Sequence, residues 1–184
     1  MEIVKSTNYS RLAKYIFLAL MGTILIAISS KIKIPFYPVP MTMQTFVVLF
    51  IGVSFGWKLG IATVTLYLLE GIFGLPVFSG TPEKGVGFIY FTGPTMGYLI
   101  GFLFAVFFAG KFTYSKNILL NFLKLSFAIS FIYILGLIWL GLLIGWEKPI
   151  FKLGAQPFLL AELFKILLMT FILSKVQKIK SYIQ

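Results

Sequence analysis

An all-α, polytopic membrane protein with six transmembrane helices is the fold class this sequence predicts, and three observations predict it. Of 184 residues, 59% are hydrophobic and 11% charged, with a mean hydropathy of +0.99; a soluble domain of this length needs far more polar surface. Several apolar runs approach the roughly 20 residues that cross a bilayer. The alternating apolar and polar pattern of a membrane β-barrel is absent. Residues 1–184 read as a single transmembrane domain.

The first apolar run, Tyr15 to Ile28, follows a basic segment with Lys5, Arg11 and Lys14. Ala27-Ile28-Ser29 loosely resembles a signal-peptide cleavage site. The run reads instead as the first span, because Ala19, Thr23 and Ala27 recur at four-residue spacing, which suits close helix packing. That small-residue face fits either another span of this chain or a separate membrane subunit. Pro35, Pro38 and Pro40 then predict an extended segment.

The second run covers roughly Met43 to Phe55, and a turn is expected at Gly56 to Gly60. The third, Ile61 to Ile72, is short for a full crossing. The stretch Gly74 to Tyr98, GLPVFSGTPEKGVGFIYFTGPTMGY, is too rich in Gly and Pro for a helix and too apolar for a solvated loop. Its Leu75, Val77, Phe78, Phe88, Ile89, Tyr90 and Phe91 are expected to be buried, folding the stretch over a cavity as an external cap. The fourth helix is predicted from Pro94, which suits a first helical turn, to about Gly110. Gly93, Gly97 and Gly101 mark one face for close approach by a helix or a ligand. The fifth span lies within Leu119 to Ile144. The sixth runs from about Pro157 to Leu173, and a basic tail follows.

The net charge is +11. The lysines lie mostly at the ends of apolar runs, so they read as orienting charges against membrane lipid, not as a nucleic-acid surface. Six spans put both termini on one side. That side gathers most of the basic residues, among them Arg11, Lys14, Lys58, Lys111, Lys175 and Lys178. The other holds Lys31, Lys33, Lys84, Lys148 and Lys152, partly offset by Glu83 and Glu147. The bias predicts a multi-pass protein of the cytoplasmic membrane with both termini in the cytoplasm.

Cys, His and Asp are absent, and the acidic inventory is Glu2, Glu70, Glu83, Glu147 and Glu162. Thiol nucleophiles, disulfides, Cys/His metal sites and His bases are thereby excluded. No Walker loop ending in Gly-Lys-Ser/Thr occurs, so ATP hydrolysis by that route is excluded too. The chain is not expected to be an enzyme or to carry a cofactor or metal.

The sharpest functional signal is Glu162 with Lys165. Three residues apart in an apolar run, they project from nearly one helix face, and a charge in a bilayer costs about 3 kcal/mol even on insertion scales. Lys165 lies roughly 12 Å beyond Pro157 at ~1.5 Å per residue, too deep to snorkel outward easily. The pair is either a mutually satisfied ion pair or a ligand site. Lys donates, Glu accepts, and Gln44 can do both. Gln44 could equally cap the second helix. Tyr67 and Glu70 close the third run, Glu70 reading better as an interfacial residue than as a ligand contact. Tyr98 suits either a pocket or an interfacial anchor.

Four segments, IPFYPVPMTMQTF, GIFGLPVFSG, GPTMGYLIGF and PFLLAELFK, occur in this order. Together they resemble the BioY family, the biotin-binding S components of energy-coupling factor (ECF) transporters, over about residues 15 to 175. The resemblance implies an S-component-like bundle of six helices with substrate beneath an external capping loop. It implies biotin uptake with a transmembrane coupling subunit and two cytoplasmic ATPase subunits. It also implies a site of Glu162, Lys165, Gln44, Tyr98, Phe78, Tyr67, Ser79 and Thr95. In that reading Lys165 donates to an acceptor on the ligand, Glu162 accepts from the ureido N–H, and Phe78 and Tyr67 cover the ring. Ala19, Thr23 and Ala27 would dock the coupling subunit. The family usually carries Asp at the place of Glu162. An S component for another vitamin or a biotin precursor, or a membrane assembly protein that transports nothing, are the alternatives.

Overall fold

A computed structural model describes residues 2–83 and 85–183, with side chains from Arg11 onward. Lys84 and the side chain of Lys5, both counted in the charge bias, lie outside the described residues. The chain order is α1 (Glu2–Lys31), β1 (Lys33–Ile34), β2 (Met41–Thr42), α2 (Gln44–Ile72), α3 (Phe88–Phe91), α4 (Met96–Lys111), α5 (Ile118–Ile144), α6 (Ile150–Gly154), a 3₁₀ turn (Gln156–Phe158) and α7 (Leu159–Ile183).

The α2 segment is a helical hairpin. Gly56 interrupts it at φ 75° and ψ 171°, a region that side-chain-bearing residues essentially do not occupy. The arms 44–55 and 57–72 run antiparallel. Gln44 Nε2 donates to Tyr67 Oη at 2.8 Å, whereas 23 residues of straight helix would separate them by about 35 Å. The second and third spans are therefore distinct, and with α1, α4, α5 and α7 they make the six crossings. The hairpin packs closely on α4. A Cβ on Gly52 would sit 2.8 Å from the Cβ of Ala109, and one on Gly60 2.8 Å from Val106 Cγ2. Gly110 leaves room for the hairpin backbone at Gly56 and Trp57.

Burial places α2 inside and α1 outside: 61% of the most apolar part of α2 is buried, against 28% of that of α1. Outward α1 residues such as Phe17, Ile24 and Ile28 are exposed, as lipid-facing residues should be. Ala19 and Thr23 point the other way. Thr23 is 2% exposed and donates to Glu70 Oε1 at 3.0 Å; Ala19 is buried and Ala27 partly so. Of the two readings of this face, the packing seen is the one against another span of this chain. Their small size serves to seat α1 on this chain's own α2, and Glu70 is held between helices.

On α4, Gly97 and Gly101 admit the backbone of α5 near Leu135 and Ile132, so a helix and not a ligand makes the close approach. Asn117 caps α5 by accepting from Leu120 N at 3.0 Å. The last helix continues ten residues past the predicted Leu173 to Ile183, taking in the basic tail. Lys14 Nζ donates to the carbonyls of Tyr182 and Ile183, at 2.8 and 3.1 Å. Those carbonyls lack helical partners, and the contact puts both ends of the chain at one end of the bundle.

At the other end the expectation of an extended Pro-rich segment is corrected: residues 35–40 form a loop with bends at 37–39 that turns the chain back, closing a hairpin of two short strands with Lys33 opposite Thr42 and Ile34 opposite Met41. In the capping stretch Phe78, Tyr90 and Phe91 are buried and Val77 partly so, but Leu75, Phe88 and Ile89 are exposed. The expectation that all seven are buried is corrected. One turn of helix, α3, sends Phe88 and Ile89 outward and the next two rings inward.

Candidate binding site

A hollow lies where the capping stretch, β2, the start of α2, α4, α5 and the first turns of α7 converge. The hollow is narrow, with a cavity volume of about 60 Å³. Gln44, Phe78, Ser79, Thr95, Tyr98, Glu162 and Lys165 all line it. Tyr67, expected to cover a ring there, does not.

Pro157 in the 3₁₀ turn ends the connector, and Glu162 falls in the first turn of α7, where the positive end of the helix favours a carboxylate. Glu162 and Lys165 are 4% and 6% exposed. Lys165 Nζ donates to Thr42 O at 2.7 Å, to Thr45 Oγ1 at 3.0 Å and to Glu162 Oε2 at 3.4 Å. An ammonium has three N–H bonds, and all three are engaged within the chain. Lys165 thus balances the charge of Glu162 and holds β2 against α7, on the wall of the hollow where it was expected to serve as a donor. Glu162 Oε2 also accepts from Thr45 Oγ1 at 3.1 Å and from Tyr133 Oη at 2.9 Å. Glu162 Oε1 is buried with no partner among the described residues. An unpaired buried acceptor is costly, and this one is a lone carboxylate oxygen on the wall of a hollow.

Gln44 sits at the start of α2. Its Oε1 accepts from Thr42 Oγ1 at 3.2 Å, and its Nε2 donates to Tyr67 Oη. Tyr67 Oη in turn donates to Val77 O at 3.1 Å. Tyr67 is thus a strut behind the wall. It meets Phe78 edge-on, ring centres 5.5 Å apart, while Tyr90 stacks on Phe78 from another side at 5.4 Å. Gly71 leaves the space that the Phe78 ring fills. Tyr98 presents its ring to the hollow, but its hydroxyl donates to Gly154 O at 2.8 Å and ties α4 to α6.

Ser79 Oγ is the other buried polar atom without a partner among the described residues. The Ser79 carbonyl accepts from Tyr90 Oη. Burial pushes the Tyr90 phenol up from its ordinary value, so it stays a donor.

Sequence reasoning missed Thr42, Thr45 and Tyr133 in the polar cluster, and Tyr90 and Phe158 in the wall. Tyr133 is the only tyrosine in α5, and Thr45 adjoins Gln44 in a quoted motif; those were the available signals.

A probable biotin transporter BioY from Pyrococcus horikoshii is 32% identical over 157 residues, covering 83% of this chain and 90% of the relative. The biotin transporter BioY from Thermotoga maritima is 33% identical over 159 residues, covering 86% and 92%. The crystal structure of the S-component for biotin from an ECF-type ABC transporter matches with a TM-score of 0.75 at 27% identity, covering 92% of this chain and 93% of that one. The order of elements, the cap over a polar-floored hollow and a BioY family model that matches residues 4–182 together place this chain in the BioY family.

Proposed function

We propose that this protein binds biotin in the hollow beneath the capping stretch and serves as the substrate-specific membrane subunit of an ECF-type transporter. The observation that carries the reading is the unpaired, buried Glu162 Oε1. Biotin offers an apolar bicycle, ureido N–H donors and a carboxylate tail. A ureido N–H would satisfy Glu162 Oε1, and the bicycle would lie against Phe78, Tyr98 and Phe158. The tail carboxylate would accept from Ser79 Oγ, the hydroxyl still free to donate. Gln44 and Thr95 complete the polar wall, and Lys165 holds the carboxylate in place.

The names of the relatives support the substrate. The sequence has no nucleotide-binding loop of its own, so uptake would be energised by other chains, a transmembrane coupling subunit and two cytoplasmic ATPases. The cluster of Lys14, Lys58, Lys111 and Lys178 at the end that holds both termini supports placing that end in the cytoplasm. The cap then faces outward.

Equilibrium binding of labelled biotin to the purified protein in detergent tests the reading, with Glu162→Gln beside it. Tight, saturable binding that falls at least about tenfold in the variant is expected, because a donor replaces part of an acceptor-only group. No binding to the wild type, or displacement by a different vitamin but not by unlabelled biotin, would overturn it.

A further inference from the structure

The turn from Val77 to Thr81 carries both Phe78 and Ser79, and side chains from outside it hold its carbonyls. Val77 O accepts from Tyr67 Oη and lies 2.8 Å from Ser30 Oγ. Ser79 O accepts from Tyr90. The remaining contacts come from one residue, Lys31, in the last turn of α1. Its Nζ donates to Phe78 O at 2.9 Å, Thr81 O at 3.0 Å and Thr81 Oγ1 at 3.2 Å. As with Lys165, every ammonium donor is engaged, here across about fifty residues of sequence.

We infer that Lys31 is a positioning residue for ligand retention: it latches the Val77–Thr81 turn, and with it Phe78 and Ser79, closed over the hollow. Three charge-assisted contacts on one short turn outweigh what the turn gains internally, which is the Thr81 N to Phe78 O bond at 3.3 Å and the Thr81 hydroxyl on the same carbonyl. The ion pair nearby, Lys33 with Glu83 at 3.9 Å, is 75% exposed at Glu83 and contributes little. Lys31 itself is an exposed residue that touches no wall of the hollow. Its effect on a ligand must pass through the turn. The latch sits on α1, the least buried of the four long apolar helices, and ties the cap to it.

The inference rests on the proposed binding site, and its test carries a readout that needs no ligand. Lys31→Met in the full chain is expected to speed dissociation of labelled biotin by about tenfold or more while association changes little. Hydrogen exchange of the amides from Phe78 to Gly85, measured without biotin, is expected to rise in the same variant. Lys31→Arg, which can still donate to two carbonyls, should retain most of the slow dissociation. Unchanged exchange in Lys31→Met overturns the latch even if the wild type binds no biotin. Faster exchange with unchanged dissociation overturns its role in retention. A Lys31→Arg variant as leaky as Lys31→Met would assign the effect to packing at the end of α1 and overturn the inference as well.

Discussion

Tyr133 on α5 donates a 2.9 Å hydrogen bond to Oε2 of Glu162 on α7, so the carboxylate is held from the α5 side by one oxygen and its other oxygen is left for the hollow. Thr45 and Lys165 meet the same Oε2. Three elements thus orient one acceptor. This asymmetry separates a binding site from a self-satisfied ion pair, since a purely structural pair would have partners on both oxygens.

The first prediction follows from that asymmetry. Lys165→Met alone leaves a buried carboxylate without its counter-charge and should destabilise the protein by about 3–5 kcal/mol, seen as a lower Tm in detergent. The double change Glu162→Leu with Lys165→Leu removes both charges and should recover most of that loss. Biotin binding should stay absent in the double variant. Recovery of both stability and binding would return the pair to a structural role.

Ser79 gives the opposite pattern. Its hydroxyl is buried with no partner among the described residues, so Ser79→Ala should leave the Tm of the ligand-free protein unchanged or slightly raised. Affinity for biotin should fall by roughly 1 kcal/mol, about fivefold. Thermal shift with and without biotin reads both effects in one experiment.

Tyr67→Phe tests the strut behind the wall. The variant keeps the edge-on contact with Phe78 but frees Gln44 Nε2 and Val77 O from their common partner. Biotin affinity should drop several-fold although Tyr67 does not line the hollow. Calorimetry on the variant checks it; wild-type affinity would mean that Gln44 needs no orientation.

Gly56→Ala should cost about 1–3 kcal/mol, because φ 75° with ψ 171° strains any residue with a Cβ. The expected readout is a lower Tm with biotin affinity near wild type in the folded fraction. The turn lies at the end of the bundle away from the cap.

Orientation is open to a clean test, since the chain has no Cys. Tyr182→Cys and Ile89→Cys each place a thiol at a position 81% exposed in the bundle. In intact cells a membrane-impermeant maleimide should label the second and spare the first. The reverse pattern would invert the topology.

Composition and run lengths were enough for the class and the six spans, because lipid demands continuous apolar helices and basic flanks whatever the packing. The Gly56 turn was legible from its punctuation, Gly56, Lys58 and Gly60 between two apolar runs, although length and composition alone would pass 44–72 as one long span. The buried Glu162 and Lys165 were legible too, as charges where charge is expensive. Which oxygen of Glu162 is free was decided only in three dimensions. It depends on Thr45 and Tyr133, which approach from α2 and α5 at sequence separations no local pattern encodes. The same holds for Tyr67, which the chain brings behind Phe78 and not beside a ligand, and for Ala19 and Thr23, whose small side chains suit any close helix neighbour and met one within the chain. Spacing along a sequence assigns residues to a face; what that face meets is set by how the helices pack.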